Sequence, residues 1–223
     1  MIPYKDDLPT ERFPMVTVAF IALNVAVYIW ELGVGADAAV RAFGAVPAAM
    51  LGAEPGLQPI APGTSVLTSM FMHGGPLHLA GNMLYLWIFG NNVEDRLGRV
   101  QFVLFYIGAG FVAAYAHALS APASLVPMVG ASGAVAGVLG AYLLMFPRAR
   151  VHTLVFLGVF VTVVRLPALI VIGIWAMIQV VSAMLSQPES GSGGVAWFAH
   201  IGGFAYGLAY IKLFRGGNRS RRR

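Results

Sequence analysis

The chain contains no cysteine. Thiol nucleophiles, disulfides, Cys-ligated zinc and iron–sulfur clusters are therefore excluded, and any side-chain nucleophile is expected to be a hydroxyl. Charge is also scarce. Asp, Glu, Lys and Arg make up 10% of the 223 residues, against about 25% in soluble domains. Apolar residues fill the remainder, at 58% of the chain and a mean hydropathy of +0.77. This composition belongs to a polytopic membrane protein forming one compact unit, not to a soluble domain on an anchor. No internal repeat is visible, which argues against a small transporter. No small-residue cleavage site follows the first apolar run, so that run reads as a retained span.

A spanning helix needs about 20 mostly apolar residues. Six segments qualify: 14–32, 78–93, 100–119, 132–146, 166–185 and 195–214. The second and fourth are short and are expected to start below the membrane surface. Residues 151–164, apolar but flanked by Arg150 and Arg165, read as interfacial or re-entrant. The expected fold class is all-α, a polytopic six-transmembrane-helix bundle with a long first outer loop. Residues 1–13 form an N-terminal tail, 14–214 the helical domain and 215–223 a basic tail, expected to be disordered from Gly216.

The basic residues set an orientation. Lys and Arg favour cytoplasmic loops. Lys5, Arg12, Arg96, Arg99, Arg148, Arg150, Arg165, Lys212, Arg215, Arg219 and Arg221 to Arg223 all fall on one side of a six-span arrangement. Of the 14 basic residues, that leaves only Arg41 on the other. Both termini are therefore expected in the cytoplasm. The net charge of +5 fits inner loops and a basic tail near anionic lipid, with no nucleic acid as partner.

In this topology the second, fourth and sixth segments all begin on the outer side, and each opens with a polar motif. The second carries His78-Leu79-Ala80-Gly81-Asn82, with His78 and Asn82 on one helical face. The fourth opens with Ser132 inside Gly130-Ala131-Ser132-Gly133. The sixth carries His200, followed by Gly203 and Gly207 at GxxxG spacing. Polar groups inside a membrane mark function. Ser132 at a helix N-terminus lies where free N–H groups favour an anion, and His78 and Asn82 are hydrogen-bond donors suited to an oxyanion hole. His200 is the candidate base for the Ser132 hydroxyl. Small residues, Gly133, Gly137 and Gly140 against Gly203 and Gly207, let the two backbones approach. Glu94 and Asp95 lie at the far end of their segment, and Glu31, Asp37, Glu54 and Glu189 in outer loops or at helix ends. A Ser–His dyad without a carboxylate is expected.

These motifs, in this order over residues 14–214, resemble the rhomboid family of intramembrane serine proteases. Glu94-Asp95-Arg96-Leu97-Gly98 resembles a further, structural motif of that family. The resemblance implies Ser132 as nucleophile and His200 as general base, then acid. His78, Asn82 and the Ser132 backbone N–H would bind the oxyanion, with Gly130, Gly133, Gly203 and Gly207 in support. It implies a transmembrane protein substrate cut near the outer face after a small residue, the lipid bilayer as surroundings, and no metal or cofactor. Two positions depart from the family pattern. The stretch Thr64-Ser65-Val66-Leu67-Thr68 has no Trp-Arg pair, and Ala136 stands where some members stack an aromatic on the imidazole. The alternative function is a non-proteolytic relative that binds transmembrane helices. A histidine-ligated haem protein is a weaker rival.

Other residues read as structural. His73 is expected to tie down the loop before the second segment, His117 to sit at a helix end, and His152 to lie on the cytoplasmic side, away from the site. Trp30, Trp175 and Trp197 fit interfacial or lipid-facing positions. Residues 37–51 are amphipathic enough to lie in the interface, 54–63 break structure, and Gly191-Ser192-Gly193-Gly194 reads as a cap over the site or a plain connector. A bacterial inner membrane is the expected location.

Overall fold

The computed structural model describes residues 1–54, 56–158, 160–186 and 195–220. Gly191 to Gly194 and Arg221 to Arg223 lie outside the described residues, and with them the cap or connector reading of the former. The chain is mostly helical. Met15–Val34 (α1), Arg99–Ser120 (α7) and Ala168–Leu185 (α9) are the helices among the described residues that are long and apolar enough to cross a membrane. Ser132–Met145 (α8) is a shorter apolar helix, and Trp197–Ser220 (α10) closes the bundle. α10 runs past Gly216, where disorder is expected from the sequence.

The second apolar segment is one continuous rod of three parts: Pro76–Tyr85 (α5), a π turn at Leu86–Gly90 and Asn91–Leu97 (α6). One extra residue in a turn shifts the helical phase by about 100°. The two halves thus serve different neighbours. α5 presents Asn82 to the site, whereas α6 presents Glu94 to the start of α1. Glu94, 3% exposed, accepts the backbone N–H of Val16 at 3.0 Å, that of Thr17 at 2.7 Å and the Thr17 hydroxyl at 2.8 Å. Pro14, which precedes α1, offers no side-chain cap. A carboxylate from another helix satisfies those free N–H groups instead.

The all-α expectation is corrected by a three-stranded antiparallel sheet, Ile2–Asp6 (β1), Arg150–Leu157 (β2) and Phe160–Pro167 (β3), in the order β1-β2-β3. The interfacial or re-entrant stretch at 151–164 is this β2–β3 hairpin. Its Val- and Thr-rich sequence favours a pleated strand, and Gly158 takes a positive φ of +65° in the turn, where a side chain is disfavoured. The N-terminal arm pairs with β2 and is clamped by polar contacts. Asp6 accepts the Tyr142 hydroxyl at 2.5 Å and the Asn92 amide at 2.8 Å, and Asp7 pairs with His152 at 2.5 Å. His152 thus serves the sheet. The His152 hydrogen bond holds the Asp7 carboxyl below its usual pKa, while burial raises that of Asp6.

The long first loop, 33–77, folds into Ala36–Phe43 (α2), Pro47–Met50 (α3) and Pro62–Ser69 (α4). It is tied to the segment ahead of α8. Ala45 and Met128 exchange backbone hydrogen bonds at 3.0 and 2.8 Å, and Gly130 N–H donates to Ser69 O at 2.9 Å. The Thr64 to Thr68 stretch lies within α4, where the Thr68 hydroxyl donates to Phe43 O at 2.6 Å. The aromatic core, Phe20, Phe89, Phe102, Phe105, Tyr106 and Tyr142, lies among α1, the second rod, α7 and α8.

Candidate active site

The site exists because two backbones touch. A Cβ built on Gly203 would collide with the Gly133 carbonyl oxygen, one on Gly207 with that of Gly137, and one on Gly140 with that of Phe204. No side chain larger than hydrogen fits at these three positions of the α8–α10 seam. The close approach sets His200, in the first turn of α10, over Ser132, the first residue of α8. His200 Nε2 lies 2.8 Å from Ser132 Oγ.

The other ring nitrogen has a partner that sequence reasoning missed. His200 Nδ1 lies 2.7 Å from Oε1 of Gln179 on α9, and both side chains are buried. The Gln179 amide nitrogen donates to Trp175 O, one turn earlier, at 3.0 Å. That bond turns the amide oxygen toward the imidazole. Oxygen can only accept, so Nδ1 carries the ring hydrogen and donates it, and Nε2 is left as an acceptor for the Ser132 hydroxyl. The sequence signal was present, since an amide in an apolar helix calls for a partner.

Two tryptophans given interfacial or lipid-facing positions from sequence also flank this imidazole. The Trp175 ring centroid lies 6.0 Å away and that of Trp197 6.1 Å away, the latter nearly perpendicular at 88°. They stand in for the aromatic that Ala136 does not supply. Ala136 is fully buried, in van der Waals reach of Gly203.

His78 and Asn82 arrive from α5. The His78 ring lies against Gly130. A Cβ there would fall 2.7 Å from His78 Cε1, 2.8 Å from His78 Nε2 and 3.6 Å from Ser132 Oγ. Gly130 also has a φ of +130°, so a side chain would be strained as well as obstructive. Asn82 is not wholly free to serve an oxyanion. One amide hydrogen is donated to His73 Nε2 at 3.0 Å, which leaves the second. His73 therefore does more than tie down its loop. It is 1% exposed, packs edge-on to His78 with centroids 5.1 Å apart, and donates its backbone N–H to the Glu31 carboxylate at 3.1 Å. Burial, then the neighbouring His78, pushes the His73 pKa down to about 4, which keeps the ring neutral and Nε2 able to accept. Glu31, read from sequence as lying at a helix end, is fully buried on α1.

Beside Ser132 is a cavity of about 40 Å³ lined by Ser69, Ala113, Met128, Gly130, Gly133 and Ala199, among others. A water needs roughly 10–15 Å³ by this measure, so the space holds water or a small side chain. The N-terminal N–H groups of α8 have no acceptor within the helix and bear its positive dipole end. A hydroxyl on an accepting imidazole, beside N–H donors and a small cavity, has the parts for nucleophilic attack on a carbonyl. His117 lies in the last turn of α7, as a helix-end histidine.

The rhomboid domain family model matches residues 63–216. The chain is 30% identical over 199 residues to the mouse (Mus musculus) presenilin-associated rhomboid-like protein, mitochondrial, covering 86% of this chain and 46% of that protein. It is 32% identical over 155 residues to RHOMBOID-like protein 4 of Arabidopsis thaliana, with 69% and 35% covered. To rhomboid protein 1, mitochondrial, of Saccharomyces cerevisiae it is 35% identical over 96 residues, with 41% and 28% covered. The chain thus spans less than half the length of these curated relatives. With the matched domain extending over most of its length, the chain belongs to the rhomboid family.

Proposed function

We propose that this protein is an intramembrane serine endopeptidase that cleaves transmembrane segments of other membrane proteins near the outer face. The observation that carries the reading is the chain of contacts from Ser132 Oγ to His200 Nε2 at 2.8 Å and from His200 Nδ1 to Gln179 Oε1 at 2.7 Å. Such a chain orients and activates a hydroxyl, and a helix-binding relative has no need of it.

In the proposed reaction, Ser132 Oγ attacks the scissile carbonyl while His200 Nε2 takes its proton. The imidazolium is held through Nδ1–H by the Gln179 amide oxygen. The oxyanion forms against the α8 N-terminal N–H groups, His78 and the free N–H of Asn82. His200 then returns its proton to the leaving amine, and the acyl-enzyme forms. Water from the cavity, deprotonated by the same nitrogen, completes hydrolysis. The cavity beside Ser132 suits a small residue ahead of the cut. The proposed arrangement has six spans with both termini in the cytoplasm, in a bacterial inner membrane. Names of several relatives place those proteins in mitochondria. The test is fluorophosphonate labelling of the full chain in liposomes, with the modified residue mapped by mass spectrometry. Adduct at Ser132, lost in His200→Ala, supports the reading. Absence of adduct at Ser132 in the wild type overturns it and leaves helix binding as the better account.

A further inference from the structure

The hairpin carries an apolar surface for which the proteolytic site has no use. Beyond the reach of β1, its tip exposes Phe156 at 53%, Phe160 at 73%, Val161 at 56% and Val163 at 50%. In the ladder Phe156 faces Val161 and Leu154 faces Val163, so these four side chains share one face, while Phe160 lies on the other. Thr162 is the polar side chain among the described residues of this tip. The hairpin is long, about 26 Å for eight residues per strand. β3 is an edge strand whose one charge, Arg165, lies near its base. A water-facing edge of this kind is normally shielded by charge, a bulge or a cover. Here the charge is gathered at the base, where Arg148, Arg150 and Arg165 are all exposed.

The hairpin also has a fixed place. β3 runs directly into α9, one of the helices able to cross a membrane, and the first turn of α9 exposes Leu169 and Ile170. The apolar surface of the hairpin thus continues the lipid-facing surface of a span, with a basic collar beside the junction. Apolar groups entering the acyl region with Arg at headgroup level is how interfacial elements bind anionic membranes.

We propose that the β2–β3 hairpin is a membrane-binding element, its apolar tip seated in the lipid surface at the N-terminal end of α9 and its Arg148, Arg150 and Arg165 collar set against anionic headgroups. The occupant is the bilayer itself, not a substrate strand or a second copy of the chain. The hairpin then anchors both the sheet and the near end of α9.

The absence of native cysteine makes the test direct. Phe160→Cys in the full chain, labelled with an environment-sensitive NBD fluorophore, is reconstituted in phosphatidylcholine vesicles with and without phosphatidylglycerol. Ile178→Cys on α9 gives the lipid-exposed standard, and Glu11→Cys on the N-terminal arm the water-exposed one. The label at 160 is expected to match that at 178 in its blue shift and in quenching by nitroxide-bearing acyl chains. It is also expected to be quenched by aqueous iodide severalfold less than the label at 11. Replacing all three collar arginines by Gln is expected to abolish the added effect of phosphatidylglycerol. Val161→Cys repeats the measurement should Phe160→Cys not fold. Iodide access equal to that at 11 overturns the proposal. So does protection that appears only with a substrate peptide, or only at protein-to-lipid ratios high enough for two copies of the chain to meet.

Discussion

Gln179→Met should slow catalysis without dismantling the protein. Met nearly matches Gln in volume, so packing against Trp175 and His200 is retained, but the oxygen that accepts the Nδ1–H at 2.7 Å is gone. In the ground state the loss is one neutral hydrogen bond, about 0.5–1.5 kcal/mol. In the transition state His200 is an imidazolium, and the same bond becomes charge-assisted, about 1.5–3 kcal/mol. The interaction that strengthens as charge develops is the one that raises kcat. The difference between the two, about 1–1.5 kcal/mol, acts on kcat and should lower it by about 5- to 12-fold, at roughly 1.4 kcal/mol per decade. KM should change little, because Gln179 is buried behind the imidazole. The assay is cleavage of a fluorogenic single-span substrate in liposomes, with the thermal midpoint of each variant measured alongside. Gln179→Asn, which keeps an acceptor on a shorter arm, should recover part of the rate. Wild-type kcat in Gln179→Met would refute the argument that this amide sets the tautomer. A fall matched by an equal loss of thermal stability would reduce Gln179 to a packing residue.

Gly207→Ala pushes a methyl into the Gly137 carbonyl. Overpacking of this kind costs about 1–3 kcal/mol or more, so a lower thermal midpoint in detergent and a loss of cleavage are expected together. Glu94→Gln weakens the cap on α1, including contacts at 2.7 and 2.8 Å to Thr17. A loss of about 1–3 kcal/mol should appear in thermal unfolding, with Ser132 still open to fluorophosphonate at low temperature. The Asp7 carboxyl is lowered from its ordinary value of 3.8 by His152. Its contribution is therefore present above that value and lost as pH falls through the lowered one. Asp7→Asn should lower the midpoint near neutrality, and its difference from the wild type should vanish as pH falls below about 4, which flattens the acid limb of a midpoint-against-pH curve. Asn82→Ala should lower kcat by more than Gln179→Met does, toward the 10²–10³ typical of a lost oxyanion donor. Single-turnover cleavage at saturating substrate would show it.

The sequence was most readable where physics acts locally. Helix placement followed from apolar run length, and the Ser132, His200, His78 and Asn82 motifs stood out because polar groups inside apolar segments are costly. The pairing of β2 with Ile2–Asp6, nearly 150 residues away in the chain, was hidden from a local reading, although β2 and β3 pair with each other locally. Residues 151–164 alone show only an apolar run too short to span. The contact of Trp175 with His200 was missed because only the packing of α9 on α10 creates it, whereas that of Trp197, three residues before His200 on α10, was legible from spacing. Gln179 was legible in principle. A helix as apolar as Ala168–Leu185 gives an amide no outlet but the protein interior, and its spacing of four from Trp175 already fixed one of its bonds.

The most direct test of the central claim compares the full chain with Ser132→Ala and His200→Ala in liposomes, against a model single-span substrate with a small residue near its outer end. Cleavage by the wild type within the membrane segment, absent from both variants, is the predicted result. Equal cleavage by the wild type and Ser132→Ala, or none by a folded wild type across a panel of such substrates, would contradict it.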